Sequence, residues 1–284
     1  MTDSDLIPYR LGYVVIGVED VGAAADWWAR YAQLEVSERQ DDRAHLRGGT
    51  DHHWIVLERR TDRTGLRRLA FEVGEPDDLD RYEKRLAEEG VQTERFDGEW
   101  TGPTLRFCDP NGYSIELFTG MGNVPVPPTV PWVPPRELLH AVVGVADLEV
   151  SFDFWHRVMG LRESDRVIGK TIFLRCGIGW HHALVIGAGR GAPPFLDHIC
   201  FQMNGIDDLM KVRARFLEDR QELDRDVLRH PTSGSMGFYA KAIPAPTTVE
   251  FCIEHAKITD PDYRPRALTP GRWTSNVWLP PLGS

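Results

Sequence analysis

Leu11-Gly-Tyr-Val-Val-Ile-Gly-Val-Glu-Asp20 returns, altered but in step, as Leu138-Leu-His-Ala-Val-Val-Gly-Val-Ala-Asp147. Each stretch is an apolar run of strand length, closed by an acidic residue able to cap a helix. Helical spacing of bulky residues follows in both places, over Val21 to Gln33 and over Leu148 to Met159. Short strands are expected at Leu34-Glu-Val36 and Leu161-Arg-Glu163. The correspondence continues outward. His52-His-Trp-Ile-Val-Leu57 matches His181-His-Ala-Leu-Val-Ile186, and Leu66-Arg-Arg-Leu-Ala-Phe-Glu-Val73 matches Leu196-Asp-His-Ile-Cys-Phe-Gln-Met203, all expected as strands. Polar helices are expected over Asp77 to Glu89 and Ile206 to Glu218, and each half closes on strands ending Ser114-Ile-Glu-Leu-Phe118 and Thr248-Val-Glu-Phe-Cys252. Asp109-Pro-Asn-Gly112 supplies turn chemistry in the first half. Corresponding positions are 127 residues apart at Tyr13/His140, 129 at His53/His182, 130 at Arg68/His198 and 134 at Glu116/Glu250. Such a slow drift is what loop insertions leave in an internal repeat, and a repeat sets the architecture.

Between the halves, residues 124–135 hold six of the 20 prolines and can propagate neither helix nor central strand. The organisation expected is an α+β domain at 1–123, a linker at 124–135, a second α+β domain at 136–260 and an irregular tail at 261–284. A length of 284 residues suffices for one large core or two smaller ones. Thirty-three Lys plus Arg against 43 Asp plus Glu give a net charge of −10, which argues against a nucleic-acid or anionic-lipid partner. No run approaches the ~20 apolar residues of a membrane span, and the first seven residues lack a signal-peptide pattern, so the cytoplasm is the default location. Cys108, Cys176, Cys200 and Cys252 stand singly in apolar runs and read as reduced core thiols.

Chemistry concentrates in the second half, where five of the ten histidines (His140, His181, His182, His198 and His230) fall at or beside strand positions. Strand residues alternate faces, so His140 on the first strand, His198 on a middle one and Glu250 on the last can share one concave surface. Two imidazoles and a carboxylate form the facial triad that leaves adjacent sites open on non-haem Fe(II). A lone strand histidine is more often an ordinary core or rim residue, and Glu250 could serve an ion pair. The repeat shifts that balance, because the first half carries Tyr13, Arg68 and Glu116 at the corresponding positions. A guanidinium repels a dication, so only the second half is expected to bind metal.

With the Asp109-Pro-Asn-Gly turn and the tandem pattern, His140, His198 and Glu250 resemble type I extradiol ring-cleavage dioxygenases of the vicinal oxygen chelate superfamily. Trp180-His-His-Ala-Leu184, Arg229-His-Pro231, Gly237-Phe-Tyr-Ala240 and Thr248-Val-Glu-Phe251 extend the likeness, which covers roughly residues 8 to 255. The resemblance implies two tandem domains, each of paired β-α-β-β-β modules curving around a cavity, with the second catalytic and the first structural. It further implies cleavage of a catechol-type vicinal diol beside its hydroxyls, with both atoms of dioxygen inserted, in aromatic catabolism. Fe(II) is the expected cofactor, with Mn(II) as the alternative, dioxygen the co-substrate and a small aromatic diol the substrate. A homo-oligomer is implied by the family habit.

Within that resemblance His182, His230 and Tyr239 line the metal pocket. Neutral His182 suits proton transfer, while Tyr239 and His230 can hydrogen-bond a bound diol oxygen. Phe195, Phe238 and Trp180 are candidate apolar walls, and His181, expected to face the other way along a regular strand, receives no role. Cys200 and Cys252 share a face with the ligands but read as core. Pro231-Thr-Ser-Gly-Ser235 and Lys241-Ala-Ile-Pro-Ala-Pro246 depart from the usual loops, which leaves the diol open; Lys241 is expected to face solvent. Rival readings are a ligand-sequestering resistance protein and a glyoxalase-type isomerase. The first needs no complete triad with a neighbouring base, and the second more often carries another carboxylate at its metal.

Overall fold

A computed structural model describes residues 6–129, 132–242, 244–245 and 247–280. The first five residues, Val130 and Pro131 of the linker, Ile243 and Pro246 of the loop after Lys241, and the last four residues lie outside that range.

Four β-α-β-β-β modules follow one another. In the first half they are β1 (Arg10–Val18), α1 (Val21–Tyr31), β2 (Glu35–Arg39), β3 (Arg43–Arg47) and β4 (Ile55–Arg59), then β5 (Gly65–Glu72), α2 (Pro76–Glu88), β6 (Glu94–Asp97), β7 (Pro103–Cys108) and β8 (Ser114–Phe118). The second half repeats this as β9 (Glu137–Val145), α3 (Leu148–Asp153), β10 (Arg162–Val167), β11 (Thr171–Arg175) and β12 (Leu184–Ala188), then β13 (Leu196–Gln202), α4 (Ile206–Glu218), β14 (Leu223–Arg229), β15 (Met236–Ala242) and β16 (Thr247–Ile253). Each half forms one sheet, in the orders β2-β3-β4-β1-β5-β8-β7-β6 and, with a short β17 (Arg266–Leu268) at the edge, β14-β15-β16-β13-β9-β12-β11-β10-β17. The antiparallel pairs β1/β5 and β9/β13 join the two modules of each sheet at its middle. The tandem α+β architecture of paired modules is therefore present in full.

Local chemistry explains the joints. Asp20 and Asp147 end their strands and accept backbone N–H groups of the helices that follow, at Ala23 and at Glu149 and Val150. The helix expected over 148–159 is α-helical only to Asp153; Phe154–Val158 continues as one π-helical turn, whose wider hydrogen-bond spacing accommodates the buried Phe154 and Trp155. In the 109–112 turn the Asp109 carboxylate accepts from Asn111 and Tyr113, while Gly112 takes φ +78°, a conformation glycine adopts without strain.

The halves are not separate beads. One continuous apolar cluster runs through both, with Trp28 against Phe201 at 6.2 Å, Tyr31 against Phe216 at 5.1 Å and Phe71 against Trp155 at 5.5 Å between ring centroids. Asn111 reaches across to the Ala146 N–H and the Ser151 hydroxyl, and the Tyr113 hydroxyl donates to the Gly144 carbonyl. The irregular tail expected at 261–284 needs correction. Residues Arg266–Leu268 form β17, parallel to β10 at the edge of the second sheet, and Arg272–Thr274 form a 3₁₀ turn. The sequence lacks periodicity there because a three-residue edge strand is too short to show one. Cys108 is exposed, against the expectation of a core thiol, whereas Cys176, Cys200 and Cys252 are buried. Among the described residues no helix is long and apolar enough to cross a membrane.

Candidate metal centre and active site

Strand register builds the centre. On adjacent strands β9, β13 and β16, Cys200 lies opposite both His140 and Glu250, so those side chains leave the sheet on one side. His198, two residues before Cys200 on β13, shares that side. The outcome is a tight set: His140 Nε2 lies 3.2 Å and His198 Nε2 3.3 Å from Glu250 Oε2, and one donor atom from each falls within 4.8 Å of the others. Donors about 2.1 Å from a shared ion sit about 3 Å apart, so these separations fit a transition-metal centre. Two imidazoles and one carboxylate also fit its chemistry.

Electrostatics agree. Burial opposes ionisation of Glu250, yet His140, His198 and His230 around it hold its carboxyl well below the usual range. Burial pushes the His140 imidazole down to about 4, so it is neutral and can offer a lone pair. For His198, burial is outweighed by Asp197 and Glu250, which raise its pKa; Asp197 Oδ1 stands 2.5 Å from Nδ1 and orients the ring. A carboxylate behind a ligating imidazole fixes its tautomer and raises its basicity.

Around the triad the structure brings together the other expected residues. His182 packs with its ring tilted 4.2 Å from His140 and 5.2 Å from Phe173, and burial keeps it neutral. His230, just past β14, meets the Tyr239 hydroxyl through Nε2 at 2.7 Å and lies 3.4 Å from Glu250 Oε1. Tyr239 sits on β15 directly opposite Glu250, with Arg225 3.7 Å above its ring. Burial and the Glu250 charge raise the Tyr239 pKa well above its ordinary value, so the phenol remains a donor. His140, His182, His198, His230, Tyr239 and Glu250 all line one cavity of about 280 Å³.

Three assignments are corrected. Phe238 points away from Tyr239 into the core, packed on Phe251 at 5.3 Å and Phe216 at 5.9 Å, because neighbours on a strand face opposite ways. Trp180 is not among the residues lining the cavity and packs instead with Leu139, Cys200 and Cys252, its indole N–H donating to Glu137 at 2.7 Å. Phe195 is partly exposed beside Gly191 and contributes backbone contacts to Tyr113. The apolar lining is instead Val142, Val167, Phe173 and Val185, joined by Pro270 and Gly271 of the tail. Val142 and Phe173 were legible as inward positions from alternation; the tail carried no signal.

The His181–His182 pair also differs from expectation. It precedes β12 in a bend and is not within a strand, so His181 does not turn away. Its Nδ1 lies 2.9 Å from His182 Nδ1 and its Nε2 2.9 Å from Asp165 Oδ2. His255 was missed altogether: fully buried, 4.5 Å from His182 and with neither ring nitrogen hydrogen-bonded, it completes a second imidazole cluster with His140 and His182. Cys200 and Cys252 lie 3.4 Å apart beside Glu250, but burial raises both thiols, which keeps them protonated and poor ligands. Lys241 is solvent-facing and pairs with Glu222.

This fold and donor set define a tandem-module metalloprotein. Residues 10–117 and 137–262 each match the Glyoxalase/Bleomycin resistance protein/Dioxygenase superfamily, and the chain belongs to it. It is 25% identical over 275 residues to 3-methylcatechol 2,3-dioxygenase of Pseudomonas putida, covering 85% of this chain and 88% of that protein. To the manganese-dependent 2,3-dihydroxybiphenyl 1,2-dioxygenase of Geobacillus genomosp. 3 it is 21% identical, over 90% and 88%. The Mn(II)-bound glyoxalase of Novosphingobium aromaticivorans superposes with a TM-score of 0.87 at 22% identity, over 96% of this chain and 91% of that one, a likeness of fold.

Proposed function

We propose that this chain cleaves a single-ring catechol beside its two hydroxyls, inserting both atoms of dioxygen, with Fe(II) held by His140, His198 and Glu250. The observation that carries the reading is the set of three converging donors facing a cavity that also presents His182, His230 and Tyr239. Bound there, a redox-active divalent ion would chelate the diol, lower its proton affinity and pass electron density between diol and dioxygen. The similarity to two ring-cleaving dioxygenases over most of the chain supports the same reaction class.

The protein's own groups divide the remaining work. Neutral His182 can take a proton at Nε2 and return it, the behaviour required of an acid-base group in a dry site. The Tyr239 hydroxyl and His230 hydrogen-bond one another and together present donors to a diol oxygen. Arg225, over the Tyr239 ring, adds positive potential that favours an anionic diol. A cavity of about 280 Å³ stands at the small end for ligand sites, which favours one ring over two. Among the described residues Glu250 is the sole carboxylate lining it, which favours the oxygenase over an isomerase needing a second.

The test is direct. Protein reconstituted anaerobically with Fe(II) or Mn(II) is given catechol, 3-methylcatechol or a dihydroxybiphenyl in air, and oxygen uptake is followed with the yellow ring-opened product. Faster turnover of the monocyclic diols with Fe(II) is expected. Flat oxygen traces across all three diols in metal-loaded protein would overturn the reading.

A further inference from the structure

The Asp165–His181–His182 chain is not required to hold a metal, and its geometry is unusually constrained. Asp165 has no exposed surface. Its Oδ1 accepts the Arg266 backbone N–H at 2.8 Å, the Arg266 Nε–H at 3.1 Å and the Tyr263 hydroxyl at 3.3 Å. Oδ2 accepts from Arg266 Nη2 and faces His181 Nε2 at 2.9 Å. A carboxylate only accepts, so His181 Nε2 carries the proton. Asp165 is already paired by the Arg266 guanidinium, so His181 needs only its Nε2 proton; Nδ1 is then bare, and the 2.9 Å contact with His182 Nδ1 is a hydrogen bond when His182 donates. Neutral His182 is in turn bare at Nε2, the nitrogen that has no hydrogen bond among the described residues.

We infer that Asp165 and His181 are positioning residues that lock His182 in the tautomer presenting an unprotonated Nε2 to the cavity. Ring orientation and tautomer are thus set from β10 and the tail strand β17, where Arg266 lies directly opposite Asp165.

The first half is a built-in control. His52 and His53 repeat the pair, Nδ1 to Nδ1 at 3.1 Å. Glu38 occupies the position corresponding to Asp165, at the same strand irregularity between β2 and β3 that β10 and β11 show. Yet Glu38 accepts from the Trp100 indole at 2.9 Å, and His52 stacks on that indole at 3.9 Å without any hydrogen bond to a carboxylate among the described residues. The pair was duplicated; the lock belongs to the half with the metal donors.

Asp165→Asn separates this from a structural role. Three donors including a backbone N–H hold the oxygen at the Oδ1 place, so the amide nitrogen falls at Oδ2 and donates to His181. Both tautomers then reverse and His182 presents Nε2–H, as in the catalytic-triad precedent where an Asn in place of Asp leaves geometry intact but inverts the imidazole. Long-range ¹H–¹⁵N spectra of metal-free protein report the tautomer, with the His182 signals identified by their loss in His182→Phe. Wild type is expected to show His182 protonated at Nδ1; Asp165→Asn is expected to show it protonated at Nε2, with His53 unchanged. Under the ring-cleavage reading, on which the catalytic consequence rests, kcat falls roughly 10²-fold with KM within threefold and iron content unchanged. Arg266→Met keeps the carboxylate and is expected to keep the wild-type tautomer.

His182 protonated at Nε2 in wild type overturns the assignment without any variant. So does an unreversed tautomer in folded Asp165→Asn, or a reversal in Arg266→Met; reversal with undiminished kcat removes the catalytic consequence. Wild-type protein with the stated tautomer but no activity on any diol would sink the ring-cleavage reading and leave the lock standing.

Discussion

The two halves hold the same five positions on the same strands and solve the same charge problem differently. In the second half Cys200 lies opposite both His140 and Glu250, the strands bring His140, His198, Tyr239 and Glu250 together, and the carboxylate faces imidazoles. In the first half Ala70 lies opposite both Tyr13 and Glu116, and Arg106 lies opposite Glu116 as Tyr239 lies opposite Glu250. There Glu116 is met by Arg106 at 2.7 Å, by Arg68 at 3.2 Å and by the Tyr13 hydroxyl. Two permanent guanidinium groups supply the positive charge that, in the second half, is left for a dication. The difference teaches that a carboxylate buried at this point of the module must be compensated, and that covalently attached cations close the site while imidazoles keep it open.

The comparison breaks most sharply at the carboxylates. Glu250→Gln is expected to take metal content from about one ion per chain to none and to abolish turnover, whereas Glu116→Gln should leave metal content unchanged and cost about 2 kcal/mol of stability. Metal analysis and urea titration of both variants check this. At the paired histidines, His182→Phe is expected to retain metal and lower kcat by about 10²- to 10⁴-fold, while His53→Phe leaves kcat within twofold. Equal losses in steady-state rates would mean that the halves are not functionally distinct.

Trp28→Ala tests whether the halves share their stability. The indole is fully buried against Phe201 of the other half, so its loss should cost about 4 kcal/mol while unfolding remains a single transition. Two resolved transitions in denaturant would show independent cores. The last test is the pH dependence of metal-free protein. Burial holds His45 of the first half and His140 of the second at about 4, below their unfolded value near 6.5. As pH falls the unfolded chain takes up protons first, so stability is complete above about 6.5 and declines toward 4. Stability measured flat across that window would refute neutral burial of these imidazoles.

Much of this was legible because duplication prints each element twice. Apolar runs ending at Asp20 and Asp147, the Asp109–Gly112 turn and the alternation placing His140, His198 and Glu250 on one face all follow from rules acting over a few residues. Phe238 was misplaced where a motif outweighed alternation: it is adjacent to Tyr239 and so must face the core. His181 failed for the opposite reason, since the regular strand assumed for it is a bend. β17, and with it Arg266, was invisible because three residues carry no period and their partner, Asp165, lies 101 positions away. His255 lacks a counterpart among the matched positions and announces itself only by packing.

Asn111 and Tyr113, at the end of the half that offers no open metal site, fasten onto the backbone and helix that continue from the strand carrying His140. The half whose buried carboxylate is met by guanidinium groups therefore braces the half whose carboxylate is met by imidazoles. Splitting the chain at the prolines would leave each fragment with a bare aromatic flank, so the pair can be inherited, shuffled or engineered only as a unit.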